Sequence, residues 1–246
     1  VGEEQWDEAN IGRSSTAFGH NTVASAFAST AIGNAATASG FGSVAFGQAT
    51  TASGFYSTAM GDQTVASGPQ STALGAGTHA TGGQSFAAGS ATLASGGHST
   101  ALGYFSIASG PNSLAAGQRS QADGAESIAL GLRALAGGAG SVVLGSDAAT
   151  QSAAHGSFVF GDRSTTAPFI GFAPNEFLVR AAGGVAFYTN ASLTTGLRLA
   201  PFGSQWLGLS DVNAKHLFRD LDGEELLGKL AGLPIRFNIN IHAPFN

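Results

Sequence analysis

Ser43–Gly68 reads SVAFGQATTASGFYSTAMGDQTVASG, and it says nearly the same thing twice. Ser-x-Ala, an apolar residue and Gly come first. A few polar residues follow, Ala-Ser-Gly closes the phrase, and it restarts fourteen residues on. Moving outward from this stretch, Ser-x-Ala-x-Gly begins at Ser15, Ser29, Ser43, Ser57, Ser71, Ser85, Ser99, Ser113 and Ser127, and again at Ser141 with Val143 in place of the alanine, every step fourteen. An eleventh copy, SFVFG, starts at Ser157, two residues late. The second half of each unit carries Ala-Ser-Gly or a close variant, as at Ala38, Ala52, Ala66, Ala80, Ala94, Ala108 and Ala122. A fixed period of this kind decides architecture before any single residue does.

Fourteen is two heptads, so a coiled coil is the first candidate. It fails because two glycines per unit would each cost about 1 kcal/mol against alanine in a helix. Collagen fails because glycine is not every third residue. What remains is alternation. In STALG successive side chains point to opposite faces, as in a strand, and glycine then turns the chain into a second short strand. Two short strands and two tight turns make one coil of a narrow β-solenoid, so the fold class is all-β.

The period also sorts the faces. The third position is Ala17, Ala31, Ala45, Ala59, Ala73, Ala87, Ala101, Ala115 and Ala129, with Val143 and Val159 in the last two copies. Only a small side chain fits there, which places this row inside the roll. The fourth position is Phe18, Ile32, Phe46, Met60, Leu74, Ala88, Leu102, Ala116, Leu130, Leu144 and Phe160. It points the other way, and so thin a roll cannot bury it. A stripe of large apolar side chains left in water marks an interaction surface. Self-association about a threefold axis covers it, so the expected trimer interface is Phe18, Ile32, Phe46, Met60, Leu74, Leu102, Leu130, Leu144 and Phe160.

Composition narrows the partners. Charged residues are 10% of 246, well under the usual quarter, and the net charge is −5 with no basic run, which argues against nucleic acid. Cysteine is absent, so disulfides, thiolate metal sites and a cysteine nucleophile are excluded. No segment approaches the roughly 18 consecutive apolar residues of a membrane helix. The opening VGEEQWDEAN has neither the basic start nor the apolar core of a signal peptide.

SVAFG at Ser43 and SIALG at Ser127, each followed by Ala-x-Gly, resemble the head repeats of trimeric autotransporter adhesins of the YadA type. The resemblance spans about 15–161. It implies a left-handed parallel β-roll, homotrimeric, on a bacterial surface, binding a host or surface receptor of unknown identity through exposed surface rather than by catalysis. These 246 residues show no heptad stalk and no membrane barrel, unlike a complete adhesin of that family.

After Gly161 the period is lost. Residues 162–208 read as a β-rich connector, with strands expected in EFLVRA, GVAFYTN, GLRLAPFG and SQWLGLSD. DGEELLGKLAGL from Asp222 reads as a short helix. Asp222 and Glu225 form a capping box, Leu226, Leu227, Leu230 and Leu233 share a face, and Pro234 stops it. The segment at about 209–235 resembles the start of the endosialidase-type intramolecular chaperone of phage tail spikes. That resemblance implies a self-cleavage pair, with Ser210 as nucleophile and Lys215 as base. A lysine acts as a base only when burial lowers its pKa. The match covers the start of that domain and 209–246 is only a partial chaperone-like segment, so the pair is expected to be inactive in this chain.

Other readings weigh less. Threonine holds the second position in five of eleven copies, too few for an ice-binding rank. His20, His79, His98 and His155 share no repeat position and lack acidic neighbours, so no metal site and no cofactor are expected. The glycines of GFGSVAFG belong to the repeat, not to a phosphate loop. Arg119, Asp123, Glu126 and Arg133 read as solvated charges, Asn-Ala-Ser at Asn190 as a glycosylation pattern only, and Trp6 and Trp206 as packing at the ends of the repeats. The expected protein is non-enzymatic, the head or shaft of an extracellular trimeric fibre, with 1–14 as a cap or docking segment. The alternatives are a subunit of a self-assembling head-to-tail filament and a phage or prophage tail fibre.

Overall fold

The computed structural model describes residues 10–209 and Glu224. The chain divides into two compact units, 1–183 and 184–246. Expectations for Trp6, the docking segment before Asn10, Ser210, Lys215 and the helix from Asp222 fall outside the described residues, apart from Glu224, which is helical and exposed.

The first unit is a parallel β-solenoid. Each coil contributes a five-residue strand, as in Thr30–Asn34, Val44–Gln48 and Thr58–Asp62, and a two-residue strand, as in Thr37–Ala38 and Thr51–Ala52. The long strands stack into a twelve-stranded sheet and the short ones into an eleven-stranded sheet. Each residue pairs with the one fourteen positions on, so Ala31 lies against Ala45 and Phe46 against Met60. Two turns close each coil. The seventh residue takes a left-handed conformation, as at Ala35, Ala49 and Gln63 with φ of 54°, 50° and 53°. The fourteenth does the same at Gln70, Gln84 and Asn112.

Four inward rows fill the roll. The long strands supply the third-position alanines; Ala31, Ala45 and Ala59 are fully buried, and Ala17 at the first coil is 8% exposed. The short strands supply a second alanine row, from Ala24 and Ala38 to Ala122 and Ala136. The first-position serines and the threonines Thr22, Thr50, Thr64, Thr78 and Thr92 complete the interior. Val143 and Val159 are the largest fully buried side chains. Methyl-sized contents let the two sheets approach closely, but each methyl removes little apolar area from water. The buried hydroxyls need acceptors. Ser15, Ser29 and Ser141 donate to the carbonyl three residues back, at 2.6–2.8 Å. Ser43 and Ser57 have no hydroxyl partner in the rotamers they adopt, yet the equivalent carbonyl already sits beside them, accepting their own backbone N–H. Rotation about χ1 would turn the hydroxyls toward the Gly40 and Gly54 carbonyls, the equivalents of the Ala26 carbonyl that Ser29 uses.

The period ends at Gly161, but the pairing does not. The two-residue delay before Ser157 is absorbed in the turn after Thr150, and Val142 pairs with Phe158. Phe169–Gly171 then joins the short-strand sheet and Phe177–Arg180 the long-strand sheet, both parallel. Parallel pairing asks only for backbone partners and an apolar inward residue, which Leu178 supplies beneath the alanine core. Phe177 stacks on Phe158 at 5.2 Å. The segment 162–183, read from sequence as connector, therefore contributes the last rungs of the solenoid.

The described part of the second unit is a three-stranded antiparallel sheet of Val185–Tyr188, Gly196–Leu199 and Leu207–Leu209. Asn190 organises its first turn. Its Oδ1 accepts from the N–H groups of Thr194 and Thr195, and its Nδ2 donates to the Ser192 and Thr194 hydroxyls. Trp206 packs on Phe187 at 5.7 Å.

Candidate interaction surface

Alternation along the long strands sends the second and fourth positions to the same outward face, so each coil shows two side chains there. Phe18, Phe46 and Met60 are 70%, 47% and 40% exposed, while Ile32, Leu74, Leu102, Leu130, Leu144 and Phe160 are half-buried by their neighbours in the stack. The second position adds a pattern that inspection of the fourth alone does not reveal. Where the fourth position is Ala88 the second is Phe86, and where it is Ala116 the second is Leu114. Coils with threonine at the second position carry Phe, Ile, Met or Leu at the fourth. No coil lacks a large apolar side chain on this face. Phe86 and Leu114 thus belong to the candidate surface, and the signal for them was the alanine two residues later.

The charges sit elsewhere and pair along the stack. Arg133 makes a bidentate contact with Asp147 on the next coil, at 2.6 and 2.8 Å. Asp123 accepts from Ser109 one coil back and from Gln121. Of the four charges Arg119, Asp123, Glu126 and Arg133, Asp123 and Arg133 thus make separate contacts. An open groove of about 430 Å³ lies on the short-strand sheet over Leu135, Ala149 and Ile170, with Asp123 and Gln151 at its rim. Among the described residues no group of His, Asp and Glu could hold a metal ion. His20, whose Nδ1 lies 3.3 Å from Asn34 Oδ1, is exposed like His79, His98 and His155. The Asn190 side-chain amide is engaged in its own turn.

Arg180 ties the last coils together. It reaches Asp162 Oδ1 at 3.3 Å, donates to the carbonyls of Ser146, Asp162 and Ala167, and lies over the Phe169 ring. Asp162 accepts in addition from the Ser164 hydroxyl and the Ala182 N–H. The Ser164 hydrogen bond, then the Ala182 N–H, hold its pKa below the ordinary carboxylate value. A lowered folded pKa stabilises the fold above the unfolded value, near 3.9, and that contribution disappears as pH falls through the folded value. Protection of the Ala182 amide from hydrogen exchange, relative to its intrinsic rate at each pH, is therefore expected to be high at pH 5 and to be lost as pH falls through the lowered carboxylate value, whereas in Asp162→Asn it is low throughout. Equal protection in the two proteins at pH 5 would remove Asp162 from this role.

A parallel β-solenoid of fourteen-residue coils, with an alanine interior and an unbroken outward apolar row, defines an all-β repeat protein. The YadA head domain repeat matches the chain at residues 11–36, 24–50, 52–78, 80–106, 108–134 and 122–148, more than half of its length. The chain belongs to the YadA head repeat family. No curated protein matches it. The family's head domains belong to surface-exposed bacterial adhesins and are not enzymes; the match does not extend to residues 209–235, where Ser210 and Lys215 lie.

Proposed function

We propose that the chain is the head or shaft of an extracellular homotrimeric fibre on a bacterial surface, adhesive through its exposed faces and without catalysis. The observation that carries this reading is the unbroken row on the outward face, where Phe86 and Leu114 stand in for the small residues Ala88 and Ala116. A free surface imposes no such exchange. A face packed against a mate does, because a coil with nothing larger than threonine and alanine there would leave a void against it. A ring of three parallel copies turns every such face toward its axis and leaves no unpaired copy. The thin alanine interior adds a second reason, since each coil alone buries little.

Sedimentation equilibrium of the full chain at micromolar concentration is expected to give three times the 24.4 kDa chain mass. A monomer there would overturn the trimer. The filament and tail-fibre alternatives, and self-cleavage by Ser210 and Lys215, draw on residues outside 10–209, and no described residue favours them.

A further inference from the structure

One corner of the solenoid is aromatic over a few coils only. Phe27, Phe41 and Phe55 occupy the thirteenth position of successive units and stack at 5.2 and 5.5 Å, with their planes 19° and 16° apart. Tyr56 follows at the fourteenth position and meets Phe41 edge-on at 5.4 Å. Its ring lies over Gly42, where a Cβ would come within 2.7 Å of it. Phe27, Phe55 and Tyr56 are 44%, 59% and 57% exposed. In the following coils the same two positions hold Pro69–Gln70, Gly83–Gln84, Gly97–His98 and Pro111–Asn112. The turn closes equally well there, so the solenoid does not need the rings. Tyr56 sits at φ 53°, the left-handed conformation that Gln70, Gln84, His98 and Asn112 adopt at the same position, so the turn itself asks for no aromatic ring. An exposed aromatic cluster that folding does not require points to a contact outside the chain.

The chemistry of that contact is constrained. Between Arg13 and Arg119 the only Asp, Glu, Lys or Arg is Asp62, so this end of the solenoid offers almost nothing to a charged partner. The stacked phenylalanines cover one another's faces and present their edges, which suits aliphatic and aromatic side chains better than the flat stacking of a sugar ring. The exposed members of the outward row, Phe18, Phe46 and Met60, lie on these same coils. The aromatic turn also borders that row's face, since Phe41 leads through Ser43 directly into the strand Val44–Gln48. In a ring of copies parallel to their common axis, each coil meets the same coil of its neighbour. Corner and row are therefore brought level between one protomer and the next.

We infer that the Phe27–Phe41–Phe55–Tyr56 corner of each protomer packs on the neighbouring copy's row at Ile32, Phe46 and Met60. This rests on the trimeric reading above and makes the described N-terminal coils the tightest part of the assembly. The cysteine-free chain allows a direct test. Phe41→Cys is combined in the full-length protein with Ile32→Cys, Phe46→Cys or Met60→Cys in turn, and the variants are oxidised. A disulfide forms only where Cα atoms lie within about 7 Å, and one closed inside a single chain leaves the monomer mass, so only a bond between copies yields a covalent oligomer under non-reducing conditions. Expected is a covalent trimer from one of the double variants and none from any single variant. In parallel, Phe55→Pro with Tyr56→Gln grafts the residues that Pro69 and Gln70 place at the same turn, so the coil keeps a sequence it already uses. The graft is expected to keep the circular dichroism of the parent and to raise the trimer dissociation constant at least tenfold. A parent that is trimeric by mass, with no cross-link in any double variant and an unchanged dissociation constant in the graft, overturns the corner contact and leaves the trimer standing. A monomeric parent overturns both.

Discussion

Leu74→Asp combined with Leu102→Asp is expected to leave the chain folded and monomeric. Both side chains lie on the outward face two coils apart and are half-buried within a single chain, so the substituted carboxylates stay hydrated in the monomer. In a threefold assembly the same two positions bring six carboxylates to the axis. Burying an ionised carboxylate without a partner costs several kcal/mol even after relaxation, and here like charges face one another as well. That sum exceeds what one leucine side chain contributes when buried, about 1.5–3 kcal/mol. Far-ultraviolet circular dichroism should retain the β signature while sedimentation shows a single chain mass. A double variant that remains trimeric and melts with the parent would mean that the row faces solvent.

Gly61→Ala is the second large effect. Gly61 is the fifth residue of its unit, with φ +125°, a conformation that L-residues rarely adopt. A Cβ there would sit 2.0 Å from the carbonyl oxygen of Gly75, the equivalent glycine one coil on. The obstacle is backbone and has no rotamer with which to yield. Relief requires the coils to separate, which breaks the hydrogen bonds between Thr58–Asp62 and Thr72–Ala76. Strain of both kinds sums to at least about 3 kcal/mol. Gly97→Ala is the control, because a Cβ at Gly97 meets nothing within 4 Å, and its effect should stay within about 0.5 kcal/mol. Denaturant midpoints of the two variants decide the matter; equal midpoints would contradict the close approach of successive coils.

The period, the parallel stacking and the small interior were legible in the sequence because each rests on something periodicity reports directly. A methyl recurring at the third position means an opposing wall too close for anything larger. The second alanine row was less visible: a second short strand was expected after the turn, but Ala-Ser-Gly alone does not say which residue points inward, and the pairing of Thr37–Ala38 with Thr51–Ala52 and the burial of both alanines do. The role of Phe86 and Leu114 was hidden because it is a relation between two positions, and each position alone looks irregular. The continuation through Phe169–Gly171 and Phe177–Arg180 left no periodic trace, because backbone pairing places so little demand on the side chains. The aromatic corner did carry a signal, three phenylalanines at fourteen-residue spacing, in a turn position where polar residues are the usual expectation.

The register of one coil on the next fixes how the molecule responds to tension. The strands run across the solenoid axis, so the hydrogen bonds between coils point along it. A pull between the two ends loads those bonds one coil after another, in series, instead of shearing many at once. A coil that peels away exchanges one inter-strand spacing of about 4.8 Å for fourteen residues of extended chain, close to 48 Å, a gain of roughly 43 Å per coil. Clamping neighbouring copies together raises the force at which this begins without changing the step. The fourteen-residue coils would lengthen in equal increments under load, and the alanine interior would let each wind back with no large side chain to refit.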